Sequence, residues 1–258
     1  MSRSTFYYHQ SRKPDDKYAD VKDKIVEIFH KNKSRYGYRR VHEVLRQCGF
    51  TINHKTTQKL MRQLGLRGKM RKSQYRSYKG NVGKVAPNIL QRDFKADNPF
   101  EKLVTDVTEF AVCDEKVYLS PVMDLYNREI VSYSISRSAN FAQTREMLNG
   151  LFKKLPADSK PLMHSDQGWQ YQMRIYTDLL REHGITQSMS RKGNCLDNGA
   201  MENFFGRLKV EMFLGERLES VKDFERKLRD YIRHSNQDRI FLKLRGMSPV
   251  QYRRRFAQ

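Results

Sequence analysis

Three carboxylates lie far apart in the sequence, each where an acid needs a reason. Asp106 falls inside LVTDVTEF, Asp166 closes LMHSD, and Glu202 opens the run ENFFGRLKVEMF. Alternation in the first stretch puts Val104, Asp106 and Thr108 on one face of a strand. A carboxylate on a packed strand is costly unless it is paired or binds a cation. Gly168 allows a tight exit after Asp166. Lys209 follows Glu202 by close to two helical turns, so both share a stripe, with Phe205 between them. Three converging acids repel one another and raise their own pKa values. Divalent cations relieve that, and oxygen ligands that leave room for water and phosphate suit Mg²⁺ or Mn²⁺. Two such ions can activate a nucleophile and stabilise the leaving oxygen of an in-line phosphoryl transfer. Lys209, ~10.5 Å along the helix from Glu202, is then placed to hold a phosphate. Taken singly, each acid reads equally as a solvated surface residue.

Other polar residues compete for a role. Glu211 points away from the Glu202 stripe by helical phase. Asp124 leads into LYNRE and reads as a turn residue. Asp197 and Asn198 read as helix caps, and Asn198, four residues before Glu202, is also a candidate supporting residue behind the ligands. His164 is a second such candidate, although strand packing explains it as well. Trp169 and Tyr171 suit base stacking and core packing alike.

The elements that must position the acids follow from periodicity. KLVTDVTEFAV, KVYLSPVMD and REIVSYSIS read as successive strands, with turns around Asp114 and Asn127. A helix (NFAQTREMLNGLFKKL), a strand (PLMHSD), a helix (YQMRIYTDLLREHG) and a strand (ITQSMS) come next, then the Glu202 helix. Met201, Phe204, Leu208 and Met212 form the buried face of that last helix. An antiparallel start with a later βαβ part is the ribonuclease-H-like arrangement, an α/β fold with a mixed sheet flanked by helices. Its first and fourth strands are central neighbours, which brings Asp106 to Asp166.

Upstream, the pattern is helical. Val21, Ile25, Ile28 and Phe29 make one stripe; Val41, Val44 and Leu45 make another, stopped by Gly49. Asn53 caps a third helix that buries Thr57, Leu60, Met61 and Leu64 and ends at Gly65. This is a helix-turn-helix pattern, and it presents His54, Lys55, Gln58, Lys59 and Arg62 outward, residue types that contact bases and phosphates. A plain three-helix bundle with a solvated basic face fits the same residues. Downstream, Val221, Phe224, Leu228, Tyr231 and Ile232 form a further stripe, and Ser248, Pro249 and Gln251 read as the start of a last helix.

The expected organisation is a flexible basic arm (1–16), a helix-turn-helix domain (17–66), a basic linker (67–98), a catalytic core (99–215) and a helical extension (216–258). The chain of 258 residues carries a formal net charge of +21. Residues 1–98 hold 24 Lys and Arg against 8 Asp and Glu, so the excess is concentrated there. That predicts a polyanionic partner, nucleic acid before an acidic membrane. RGKMRKSQYRSYKGNVGK, with Arg71, Lys72 and Arg76 among its bases and Tyr75 and Tyr78 interleaved, can track a phosphate backbone. No apolar run approaches a membrane span, and MSRSTFYYHQ has no signal-peptide core. Cys48, Cys113 and Cys195 are widely spaced and read as reduced thiols in a cytoplasmic protein, without a structural zinc.

The motifs VTDVTEF, YLSPVMDLYNREIVSYSIS, HSDQGWQY, REHGITQSMSRKGNCLDNGAMENFFGRLK and LRGMSPVQY together resemble the insertion-sequence-three family of bacterial transposases, in particular its second-frame protein. That family belongs to the superfamily of DDE transposases and retroviral integrases. RYGYRRVHEVL resembles the helix-turn-helix module that precedes the family's core. Leu103 departs from the Trp that many relatives carry before VTD, a packing difference that leaves the acids untouched. The resemblance implies that Asp106, Asp166 and Glu202 are the catalytic, metal-binding triad and that Lys209 is the family's basic residue after the glutamate. It implies cleavage at the 3′ ends of an element in double-stranded DNA, then strand transfer into a target, with Mg²⁺ or Mn²⁺ as two ions. It also implies a homo-oligomer on DNA, and an upstream-frame protein or a fusion to it as partner. A stand-alone metal nuclease of the same fold and a non-enzymatic DNA-binding regulator are the alternatives.

Overall fold

The structure is a computed structural model that describes residues 3–4, 16–69, 85–214, 216 and 218–257. Arg71, Lys72, Arg76, Tyr75 and Tyr78 of the basic linker lie outside the described residues, as does most of the N-terminal arm. The chain divides into two compact units, residues 1–69 and 70–258. No helix among the described residues is long and apolar enough to cross a membrane.

Between residues 16 and 69 the first unit forms three helices, α1 (Ala19–Lys31), α2 (Tyr38–Gln47) and α3 (His54–Gln63). They bury Val21, Ile25, Ile28 and Phe29 from α1, Val41 and Leu45 from α2, and Thr57, Leu60 and Met61 from α3. Val44 and Leu64 are only half-buried. The Asn53 side chain accepts from the Lys55 amide, so α3 starts on the cap read from the sequence. Gly49 ends the turn after α2 at φ +89°, a conformation that costs a side-chain-bearing residue.

The second unit is a mixed six-stranded sheet with helices on both faces. Its strands are β1 (Lys102–Thr105), β2 (Thr108–Val112), β3 (Glu115–Asp124), β4 (Ile130–Ser136), β5 (Leu162–Ser165) and β6 (Thr186–Met189). β3 pairs antiparallel with β1, β2 and β4, whereas β1–β5 and β5–β6 are parallel. Neighbouring residues Leu103 and Val104 enter different cores on opposite faces of the sheet. One core takes α4 (Phe141–Phe152), α5 (Trp169–Gln172) and α6 (Arg174–Glu182); the other takes α7 (Gly199–Leu208) and α8 (Val221–Gln237). A last helix, α9 (Pro249–Phe256), begins with the Ser248–Gln251 capping box.

Two expectations change here. KLVTDVTEFAV is two strands rather than one, so Asp106 sits in a break and not mid-strand. β1 and β2 nevertheless keep one register on β3: Thr105 faces Val122 and Thr108 faces Leu119, which sets Asp106 opposite Pro121. Proline has no N–H to offer a ladder. Thr105 Oγ1 also donates to the Pro121 carbonyl at 2.9 Å. The predicted helix over 171–184 is likewise divided, with an extended Met173 between α5 and α6.

Residues 85–98, read as the end of a linker, lie along the core. Leu90 is buried among the residues of one core, and the Ile89 and Leu90 amides donate to Ser188 Oγ at 2.9 and 3.2 Å.

Candidate active site

The β1–β5 register decides where the acids meet. Lys102 faces Leu162, Leu103 faces Met163 and Val104 faces His164. Carried two residues further, that offset sets Asp106 beside Asp166, just past the ends of adjacent parallel strands, which run about 4.8 Å apart. The crevice outside the carboxyl ends of parallel strands is where open α/β sheets bind ligands. Asp106 Oδ1 accepts from the Val107 amide at 2.7 Å, and Asp166 Oδ1 from the Gly168 amide at 2.9 Å. A Cβ on Gly168 would stand 3.0 Å from Asp166 Oδ1 and 2.6 Å from the Gln170 side-chain nitrogen, so a larger residue there would displace the Gln170 side chain and crowd the carboxylate.

Glu202 lies in the first turn of α7, whose buried face is Ala200, Met201, Phe204, Phe205 and Leu208. Asp106 is held well above the usual carboxylate range, first by burial, then by the charges of Asp166 and Glu202, with Lys209 pulling the other way. Those four side chains therefore share one electrostatic neighbourhood. Burial also raises Asp166, and the Gly168 amide lowers it. Lys209 begins a π-helical turn, Lys209–Phe213, and its Nζ lies 5.5 Å over the Phe110 ring. Among the described residues no three His, Cys, Asp or Glu side chains stand as a ready-made metal cage.

Of the two supporting candidates read from sequence, Asn198 reaches the residue before Asp106, whereas His164 is bonded to serines. Tyr171 is fully buried, so base stacking is closed to it; its hydroxyl lies 3.5 Å from Thr105 Oγ1, and its ionisation is opposed by burial and by the charges of Asp106 and Asp166. Trp169, two residues earlier, is 53% exposed. His164 is buried with both ring nitrogens on serine hydroxyls, Ser188 at 2.8 Å and Ser190 at 3.1 Å. Burial pushes its pKa down to about 4, so it is neutral and structural. Asn198 donates from Nδ2 to the Thr105 carbonyl at 3.2 Å, tying the start of α7 to the residue before Asp106. Its buried Oδ1 has no hydrogen-bond partner among the described residues.

The rival acids are engaged elsewhere. Glu211 is buried against Arg239 Nη2 at 2.7 Å and the Tyr231 hydroxyl at 2.9 Å. Asp124 takes Arg253 Nη2 and the Phe100 and Tyr126 amides. Asp197 caps no helix: it is a buried ion-pair node between Arg92 and Arg191. Sequence spacing gives no sign of this, because the bases lie both near and far along the chain. In the first unit His54, Lys55, Gln58, Lys59 and Arg62 are all exposed on α3.

Comparison with known proteins respects the same division. The family described as HTH-like domain matches residues 16–74, and two families described as Integrase core domain match 96–195 and 202–256. The chain is 53% identical over 254 residues to the putative transposase InsK of insertion sequence element IS150 from Escherichia coli, covering 98% of this chain and 90% of that one. It is 32% identical to the transposase InsF of insertion sequence IS3A from the same organism, over 88% of this chain and 80% of the other. Among solved structures, a chain of the simian T-cell lymphotropic virus intasome, in complex with the PP2A regulatory subunit B56 gamma, shares the fold. Its TM-score is 0.52 at 12% identity, over 88% of this chain and 73% of that chain.

Proposed function

This chain belongs to the insertion-sequence-three family of transposases, and from that premise we propose that its core carries out DDE-type chemistry on double-stranded DNA. The reaction is metal-dependent hydrolysis at the 3′ ends of an element, then attack of the freed hydroxyl on a target phosphodiester. One observation carries the reading: Asp106 and Asp166 end neighbouring parallel strands, and Asp106 feels the charges of Glu202 and Lys209.

The residues fit a hard divalent cation. Their donors are carboxylate oxygens, and burial and mutual repulsion keep Asp106 in want of positive charge. Among the described residues no three such side chains already stand close enough together to hold an ion, so binding in this reading requires the acids to draw together on the cation. Asp106, Asp166 and Glu202 would hold Mg²⁺ or Mn²⁺, in this reading two ions, which supply nucleophile activation and charge neutralisation at the leaving oxygen. Lys209 binds a phosphate oxygen at the same site, and Asn198 braces the strand carrying Asp106. Lys55, Lys59 and Arg62 of α3 contact the DNA, joined by Arg71, Lys72 and Arg76 of the basic stretch after it. The working species in this reading is a homo-oligomer on DNA, with the upstream-frame protein, or a fusion to it, as a further partner.

The test is a strand-transfer assay with labelled element-end DNA and Mg²⁺ or Mn²⁺. Glu202→Gln should abolish cleavage and joining while DNA binding persists. Retained cleavage in that variant overturns the triad. Cutting without joining by the unmodified chain would favour a stand-alone nuclease. Binding with no metal-dependent chemistry would favour a regulator.

A further inference from the structure

Asp197, five residues before Glu202, gathers donors from three side chains and a backbone amide. Its own side chain is fully buried. Arg92 Nε donates to Oδ1 at 2.7 Å and Arg191 Nη2 to Oδ1 at 3.0 Å. The Arg191 amide, Arg191 Nε and Asn88 Nδ2 all donate to Oδ2 at 3.0 Å. The two guanidinium groups hold its carboxyl far below the usual range, so it is charged at neutral pH.

Three further observations say what this node holds. First, α7 has no side-chain N-cap of its own, so its start is fixed from outside the helix. Second, the next residue, Asn198, reaches the Thr105 carbonyl beside Asp106. Third, the segment clamped on the other side is conformationally costly: Gln91 and Arg92 have φ of 47° and 65°. Residues with a Cβ persist there only where their surroundings over-determine them. Asn88 and Arg92 reach Asp197, and Ile89 and Leu90 are fastened to Ser188.

We propose that Asp197 is a positioning residue. Through Arg92, Asn88 and Arg191 it fixes the start of α7, and hence the offset of Glu202 from Asp106. Residues 88–92 are on this account a brace of the acidic site, and the role rests on Asp106, Asp166 and Glu202 being the metal-binding triad. A purely structural node would change the melting temperature alone; a positioning node also changes how well the acids gather a cation.

Arg92→Ala in the full chain is the decisive variant, because the Arg92 side chain is 41% exposed and its loss leaves Arg191 on Asp197. Loss of a residue supporting metal ligands typically costs 10–100-fold, so kcat for Mn²⁺-dependent hydrolysis should fall by about that factor while KM for DNA stays within about two-fold. Calorimetric titration with Mn²⁺ alone, without DNA, should show weakened binding, and Arg92→Lys should recover part of it. Asp197→Asn should show the larger effect if it folds. Wild-type rates and Mn²⁺ affinity in Arg92→Ala, with only a lowered melting temperature, would overturn the proposal. Glu202→Gln run beside it keeps the two claims apart. An inactive Glu202→Gln with a fully active Arg92→Ala removes only the positioning role, whereas an active Glu202→Gln removes the triad itself.

Discussion

At the scale of single residues, similar side chains take different work from their surroundings. Asp106 and Asp197 are both acids near one end of the sheet, yet burial and like charge raise the first and two arginines depress the second. His164 lies two residues from Asp166 but is spent on Ser188 and Ser190. That leads to a pH prediction. Its pKa falls from the ordinary 6.5 to about 4 in the folded chain. Between those values the unfolded state binds more protons, so stability is complete above the unfolded value and declines as pH falls toward 4. The slope from this one group is at most about 1.4 kcal/mol per pH unit. Urea unfolding at pH 7 and pH 5 should therefore show a loss that His164→Asn largely removes; the stability Asp197 gains from its depressed pKa is fully present at both and is lost only at more acidic pH. Equal pH sensitivity in both proteins would mean that His164 does not titrate this way.

At the scale of elements, the Glu202 helix is anchored at its C-terminal end as well as at its start. Its continuation is a π-helical turn, closed by the Leu214 amide on the Lys209 carbonyl at 2.7 Å. That turn carries Glu211 inward onto Arg239 and Tyr231, which pins the end of the helix to Tyr231 of α8 and to Arg239 just beyond it. Arg239→Met should cost about 3–5 kcal/mol, because it removes the guanidinium bonded to both oxygens of the buried Glu211 carboxylate. The double variant Glu211→Leu with Arg239→Met should recover much of that, as paired apolar replacements do. Chemical denaturation of the two proteins measures the difference, and equal losses would show that the charge pair is not what matters. Elements of this kind also mark how far sequence carries. Apolar stripes such as Val221, Phe224, Leu228, Tyr231 and Ile232 are legible because burial tracks helical period directly. Asn53 and Ser248 are legible because caps act locally. The strand break at Asp106 is not, since its cause, Pro121, lies on a partner strand. Nor is the docking of residues 88–92, whose polar and basic side chains read as linker until Asp197 is placed opposite them. The acids are legible as a pattern, and Asn198 by its spacing from Glu202; the contacts that Asn198 and Arg92 make are not, because they join positions about a hundred apart.

At the scale of the whole molecule, charge is divided against chemistry. On the proposed reading, the acidic site needs a nearby cation, and DNA approaching it meets carboxylates of its own sign. Affinity for DNA must therefore come from elsewhere on the chain, and most of the excess of Lys and Arg over Asp and Glu lies in residues 1–98. Within the first unit, Lys55, Lys59 and Arg62 stand exposed on α3, whose buried side is fixed by Thr57, Leu60 and Met61. Changing all three to Ala should leave that unit folded, because none contributes to its core. Every phosphate that loses its cation should lower the slope of log K against log salt by roughly 0.9, so removing all three bases should flatten it by about 2.7. Single-turnover cleavage at saturating protein should change far less than binding. The opposite pattern is expected of Glu202→Gln, with normal salt-dependent binding and no cleavage. If the triple variant loses cleavage even when the DNA is fully bound, α3 does more than hold DNA, and the division of labour between the two units fails.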